Sequence, residues 1–197
     1  MMPTVQLSSP EGLMVQADPP KPAVAKPLHE KGWDAPNPRP WKFIVLHHSA
    51  KDRGNADEIG RAHQRRGFDE LGYHFVITNG NGGDSGKVEI GSRWRSQKHG
   101  AHTGGTEDNE YNEVGIGICM VGDFTNSLPS QAQLDSLGKL LKFLVWKYKI
   151  KVKNIIGHRD APSACTDCPG DALHKHLMGS IRKTLAKAGK STGSLRN

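Results

Sequence analysis

Four short runs of β-branched and aromatic residues constrain this chain more than any other feature. They read "WKFIVLHH" (41–48), "YHFVIT" (73–78), "VGIGICMVG" (114–122) and "NIIGH" (154–158). Each is too short for a packed helix and is rich in strand formers, so each predicts a strand. Two helix-start signals lie between them. Asn55 with Glu58 is a capping-box spacing whose helix Gly67 would end, and Ser130 with Gln133 is another. After Ser130, Leu134, Leu137, Leu141, Leu144, Val145 and Tyr148 recur at helical spacings and predict an amphipathic helix to about Lys149. "NGNGGDSG" predicts a turn before a short strand near "KVEIG", and residues 170–188 predict a closing helix. Strands alternating with helices predict one α/β domain, a central mixed β-sheet flanked by helices. The glycines of the 114–122 run predict a strand that other groups approach closely.

The ends of the chain read differently. All but three of the twelve prolines fall in residues 1–40, so that stretch predicts a proline-rich arm or linker, with Trp33 its one candidate anchor. Residues 41–188 form the expected domain and 189–197 an expected flexible tail. The low apolar content, 35%, agrees with unstructured ends. No apolar run approaches the roughly 18 residues of a membrane span, and no basic segment precedes an apolar one as a secretory signal would. Twenty-seven Lys and Arg against twenty Asp and Glu leave a charge of +7, which suits an anionic partner such as nucleic acid, acidic membrane or cell-wall polymer. The basic residues are scattered and match no nucleic-acid motif, so no nucleic-acid partner is expected.

Chemistry concentrates at two strand ends. "LHHSA" and "IIGHRD" each deliver histidine where an open α/β sheet gathers its ligands. If the two strands are neighbours, His47 and His158 converge and Cys168 can fold back over them. Two imidazoles, a thiolate and one position left for water make the composition of a catalytic zinc site. The pair Cys165 and Cys168 has other readings. A redox CxxC would open a helix directly, yet here Pro169-Gly170 follows Cys168. A structural zinc ribbon needs a second CxxC, and the third cysteine, Cys119, stands alone in a strand.

The motifs "FIVLHHSA", "LGYHFVITNG", "HGAHTGG", "YNEVGIGICMVGDF" and "GHRDAPSACTDCPGDAL" occur in an order that resembles zinc-dependent N-acetylmuramoyl-L-alanine amidases, the fold shared by phage endolysin amidases and peptidoglycan recognition proteins. The resemblance runs from about Trp41 to Leu185. It implies zinc as cofactor, with His47, His158 and Cys168 as ligands and Cys165 as a bystander. It makes Tyr73 and Thr166 catalytic, and places His102, Asn112 and Trp94 in a groove for peptidoglycan or muropeptides. A monomer acting in the cell envelope or as a phage lysin is implied. His48, next to a ligand in a strand, is expected to point away. The interval from His158 to Cys168 is two residues longer than usual, with "SAC" the apparent insertion. Cys119 stands where one branch of the family has a glutamate base, which aligns the chain with the tyrosine-using branch; by itself it reads as a small buried apolar residue. His63, His74 and His99 carry no motif role, and His174 and His176 read as solvated.

A non-catalytic peptidoglycan-binding module of the same fold is the nearer alternative; a basic nucleic-acid binder is the more distant one.

Overall fold

The computed structural model describes residues 26–104 and 108–191. Residues 1–25 of the expected arm and 192–197 of the expected tail lie outside the described residues. Five strands form one sheet: β1 (Phe43–His48), β2 (Phe75–Ile77), β3 (Val88–Ile90), β4 (Gly115–Met120) and β5 (Ile155–Gly157). Their order is β3-β2-β4-β1-β5, with β3 antiparallel to β2 and every other pairing parallel. The helices are α1 (Ala56–Gln64), α2 (Ser92–Arg95), α3 (Glu110–Glu113), α4 (Gln131–Tyr148), α5 (Asp171–His176) and α6 (Arg182–Ser191). A π-helical stretch, Leu177–Ile181, joins α5 to α6, so the closing helix passes residue 188.

Parallel pairing places β1 between β4 and β5, and both of its faces are covered. On one face Ile44, Leu46, Phe75, Ile77, Ile116, Ile118 and Met120 pack under α4 through Leu137, Leu140, Leu141, Leu144 and Val145. Each such side chain contributes about 1.5–3 kcal/mol by leaving water. Both Ncap residues accept from the third helical amide, Asn55 Oδ1 from Glu58 N–H at 2.8 Å and Ser130 Oγ from Gln133 N–H at 3.3 Å, and at Ser130 the Gln133 side chain completes the capping box. On the opposite face Val45, Val76, Cys119, Val121 and Ile156 alternate with the α4-facing set, as the twofold strand period requires.

The described part of the expected arm, residues 26–40, meets the domain through its candidate anchor. Trp33 is 1% exposed and belongs to the main core, its ring 5.7 Å from that of Phe143. Its carbonyl accepts the Trp94 indole N–H at 3.2 Å. Asp34 is clamped by Lys26 at 2.9 Å and Lys147 at 3.0 Å, which lowers its carboxyl to about 2. Proline content signals an extended backbone, but an extended backbone can still bury a large side chain.

Candidate metal centre

Register brings the three expected ligands together. Leu46 pairs with Gly157 across the β1–β5 ladder, so the next residues, His47 and His158, leave adjacent strands side by side, ring centroids 4.7 Å apart. The backbone then turns through His158–Asp160, and the chain returns to set Cys168 against the same point. Asp160 holds that turn: Oδ2 accepts the Gly157 N–H at 2.8 Å, while Oδ1 pairs with His174 Nε2 at 2.8 Å. Arg159 ties the returning loop by donating its amide to the Cys168 carbonyl at 2.9 Å and its guanidinium to Asp171 at 2.6 Å. A turn from Ala161 to Ala164 lies within this loop, with the Ala164 N–H on the Ala161 carbonyl at 3.1 Å. His174 is therefore a bonded, half-buried residue rather than a solvated one.

The donor atoms of His47, His158 and Cys168 lie within 4.8 Å of one another, and His47 Nδ1 is 3.7 Å from Cys168 Sγ. Donors of a tetrahedral zinc site stand about 3.3–3.6 Å apart, so this group fits such an ion after small side-chain shifts and leaves a fourth corner. Burial and the neighbouring rings of His102 and His158 hold His47 well below the usual imidazole range. Burial also lowers His158, and pushes the Cys168 thiol up to about 12 against the opposing His48 amide at 3.4 Å. Neutral imidazoles suit a cation. The thiol would release its proton to solvent on binding one.

Tyr73 lies beside this group, its ring 5.0 Å from that of His47. Burial, with Cys119 and Cys168 nearby, pushes its phenol well above the usual range, so it remains a hydrogen-bond donor. Cys119 is buried in an apolar cluster against which Tyr73 packs, as a small apolar residue would be. Thr166 Oγ1 accepts the Cys168 N–H at 3.1 Å, so it shapes the ligand loop and keeps its own proton free. His48 turns to the other side, accepting from the Phe124 N–H at 3.4 Å.

The three expected groove residues are all buried. Trp94 has no exposed surface and stacks in the α4-side core, with Trp41 at 6.1 Å. It is too buried to meet a ligand. Asn112 spends its amide on the chain: Oδ1 accepts from the His102 and Thr103 amides at 2.8 and 3.0 Å, and Nδ2 donates to Thr103 O and Asn109 Oδ1. His102 is 7% exposed and lies under His47, with Nε2 3.3 Å from the Gly115 carbonyl and Nδ1 3.1 Å from His47 Nε2. A Cβ at Gly117 would come within 2.3 Å of the His102 ring, which is the close approach that the strand's glycines predicted. Motif order locates such residues but does not say which layer they occupy.

A cleft of about 640 Å³ opens beside Tyr73 and Cys119. Lys51, Arg53, Arg61, Arg65 and Arg66 line it, with Glu58 the one acid, itself paired to Arg53 at 2.9 Å. Five of the chain's 27 basic residues thus converge on one cleft. Arg61 and Arg65, one helical turn apart, were the sequence signal for it. His63 also lines the cleft, accepting from the Gly72 N–H at 3.0 Å, and burial lowers it to about 4.

A family profile described as N-acetylmuramoyl-L-alanine amidase matches residues 37–171. The chain belongs to this amidase family. Peptidoglycan-recognition protein 2 of Holotrichia diomphalia is 34% identical over 150 residues, which cover 71% of this chain and 73% of that one. The fold matches the N-acetylmuramoyl-L-alanine amidase LysC from Clostridium intestinale with TM-score 0.61 and 27% identity, over 74% of this chain and 85% of that one. It also matches a mutant of Drosophila PGRP-LB in complex with tracheal cytotoxin, with TM-score 0.56 and 27% identity, over 73% and 82% of the two chains. The family and the mixed-sheet fold that the motifs implied are both borne out. Members of this amidase family among the relatives carry names of two kinds, hydrolase and recognition protein.

Proposed function

We propose that the protein is a zinc-dependent hydrolase of the amide between N-acetylmuramic acid and L-alanine in peptidoglycan. The observation that carries this reading is the His47, His158 and Cys168 group with the Tyr73 ring beside it. Zinc in such a donor set supplies Lewis acidity, activating water at neutral pH and polarising a carbonyl. Tyr73, protonated throughout the physiological range, donates to the oxygen that gains charge as the amide carbon becomes tetrahedral. One such donor is typically worth about 100- to 1000-fold in rate. Thr166 holds Cys168 through its backbone amide and can direct its hydroxyl proton toward the reacting centre. The cationic cleft suits the free carboxylates of a stem peptide. The protein acts on this reading as a monomer, at the cell envelope or as a lysin.

The deciding experiment is digestion of purified peptidoglycan by zinc-loaded and metal-stripped protein, followed by mass spectrometry. Free stem peptides with an L-alanine N-terminus, released only by the loaded protein, are expected. Muropeptide binding without release would make the protein a recognition module of the same fold.

A further inference from the structure

The contacts around His102 form a directed chain that no site assignment above uses. Its Nε2 lies 3.3 Å from the Gly115 carbonyl, which can only accept, so that nitrogen carries a proton. The ring is buried and has no carboxylate among its described contacts, so it is neutral and its Nδ1 is bare. Two ring nitrogens 3.1 Å apart cannot both be bare, so His47 Nε2 carries the proton that joins it to His102 Nδ1. The Thr103 hydroxyl donates to the same Nδ1 at 2.8 Å and shares its lone pair. His47 is then left with a bare Nδ1, which is the atom facing Cys168 Sγ at 3.7 Å. These tautomers follow from the hydrogen-bond network, since a ring shows no proton directly.

We propose that His102 is a positioning residue for the metal group: its Nδ1 accepts from His47 and holds that ligand in the tautomer and ring orientation whose Nδ1 is free to bind a cation. The proposal rests on the zinc reading above. The device is anchored in the sheet itself, because the orienting group is a backbone carbonyl of β4 and the His102 ring packs flat on Gly117. Outer partners that fix a ligand histidine typically change metal affinity by about 10- to 100-fold.

Two measurements test it. The first is zinc affinity by competition with a chromogenic chelator, for wild type, His102→Phe and His102→Asn. Phenylalanine keeps a ring without the acceptor, whereas the asparagine Oδ1 can stand near the lost Nδ1. Binding about 10- to 100-fold weaker in the phenylalanine variant, with substantial recovery in the asparagine variant, is expected. Undiminished affinity in the phenylalanine variant, or an equal loss in both, would overturn the proposal. A wild-type protein that binds no zinc would instead defeat the zinc reading. The second measurement needs no variant: long-range proton–nitrogen NMR of histidine-labelled, metal-free wild type. Both His47 and His102 should show the Nε2–H tautomer, and Nδ1–H at His47 overturns the proposal even if zinc binds.

Discussion

The Tyr73 ring stands 5.0 Å from the His47 ring, and burial beside Cys119 and Cys168 keeps its hydroxyl protonated. Tyr73→Phe should therefore lower kcat by about 100-fold or more while zinc content and KM stay nearly unchanged. A donor used mainly in the transition state affects kcat and kcat/KM alike. Steady-state kinetics on a defined muropeptide, with metal analysis of the same preparations, checks this; wild-type turnover would remove Tyr73 from the mechanism.

Cys168 is buried within the ligand group and Cys165 is exposed on its loop. Cys168→Ser should lose zinc and activity together, and Cys165→Ser should keep both. Elemental analysis of purified variants reads the outcome directly.

Removing the Trp33 side chain should cost about 3–5 kcal/mol, the range for emptying a buried aromatic site. Trp33→Ala should accordingly lower Tm by many degrees, although the residue sits in a stretch that its prolines mark as a linker. Thermal unfolding followed by circular dichroism is sufficient.

His74 is fully buried in a neutral state: Nδ1 accepts from the Gly117 amide at 3.0 Å and Nε2 faces the Lys98 carbonyl at 3.1 Å. Burial lowers it to about 4, against an ordinary 6.5. Between those values the unfolded chain binds more protons, so stability should fall as pH drops from about 6.5 to 4 and level off below. This one group accounts for up to about 3 kcal/mol, at about 1.4 kcal/mol per unit. Denaturant titrations of metal-stripped protein across that range should show the slope, and His74→Asn should make it shallower.

Arg61 and Arg65 line the cleft without an acid between them. Arg61→Ala with Arg65→Ala should raise KM for a carboxylate-rich stem peptide several-fold, and the effect should shrink as salt screens it. Kinetics at low and high ionic strength separate this from a loss of fold.

Local signals were enough to determine the strand runs, both capped helices and the order of the motifs, because hydrophobic period and cap spacing are properties of neighbouring residues. The five motifs also carried the family, and with it His47, His158, Cys168 and Tyr73. Layer and partner were not local. His102 and Asn112 sit in the implied motifs and Trp94 lies between two of them, yet the fold puts the first two beneath the site and the third in the opposite core. Trp33 could be named a candidate anchor from the sequence, but its partner, Phe143 of α4, could not. The cations at 51, 53, 61, 65 and 66 became one wall only when the loop after β1 folded beside α1. Sequence determines what each segment can become, whereas burial, the tautomer of a buried ring and the addition of distant charges depend on which segments meet. Only the packed sheet decides that.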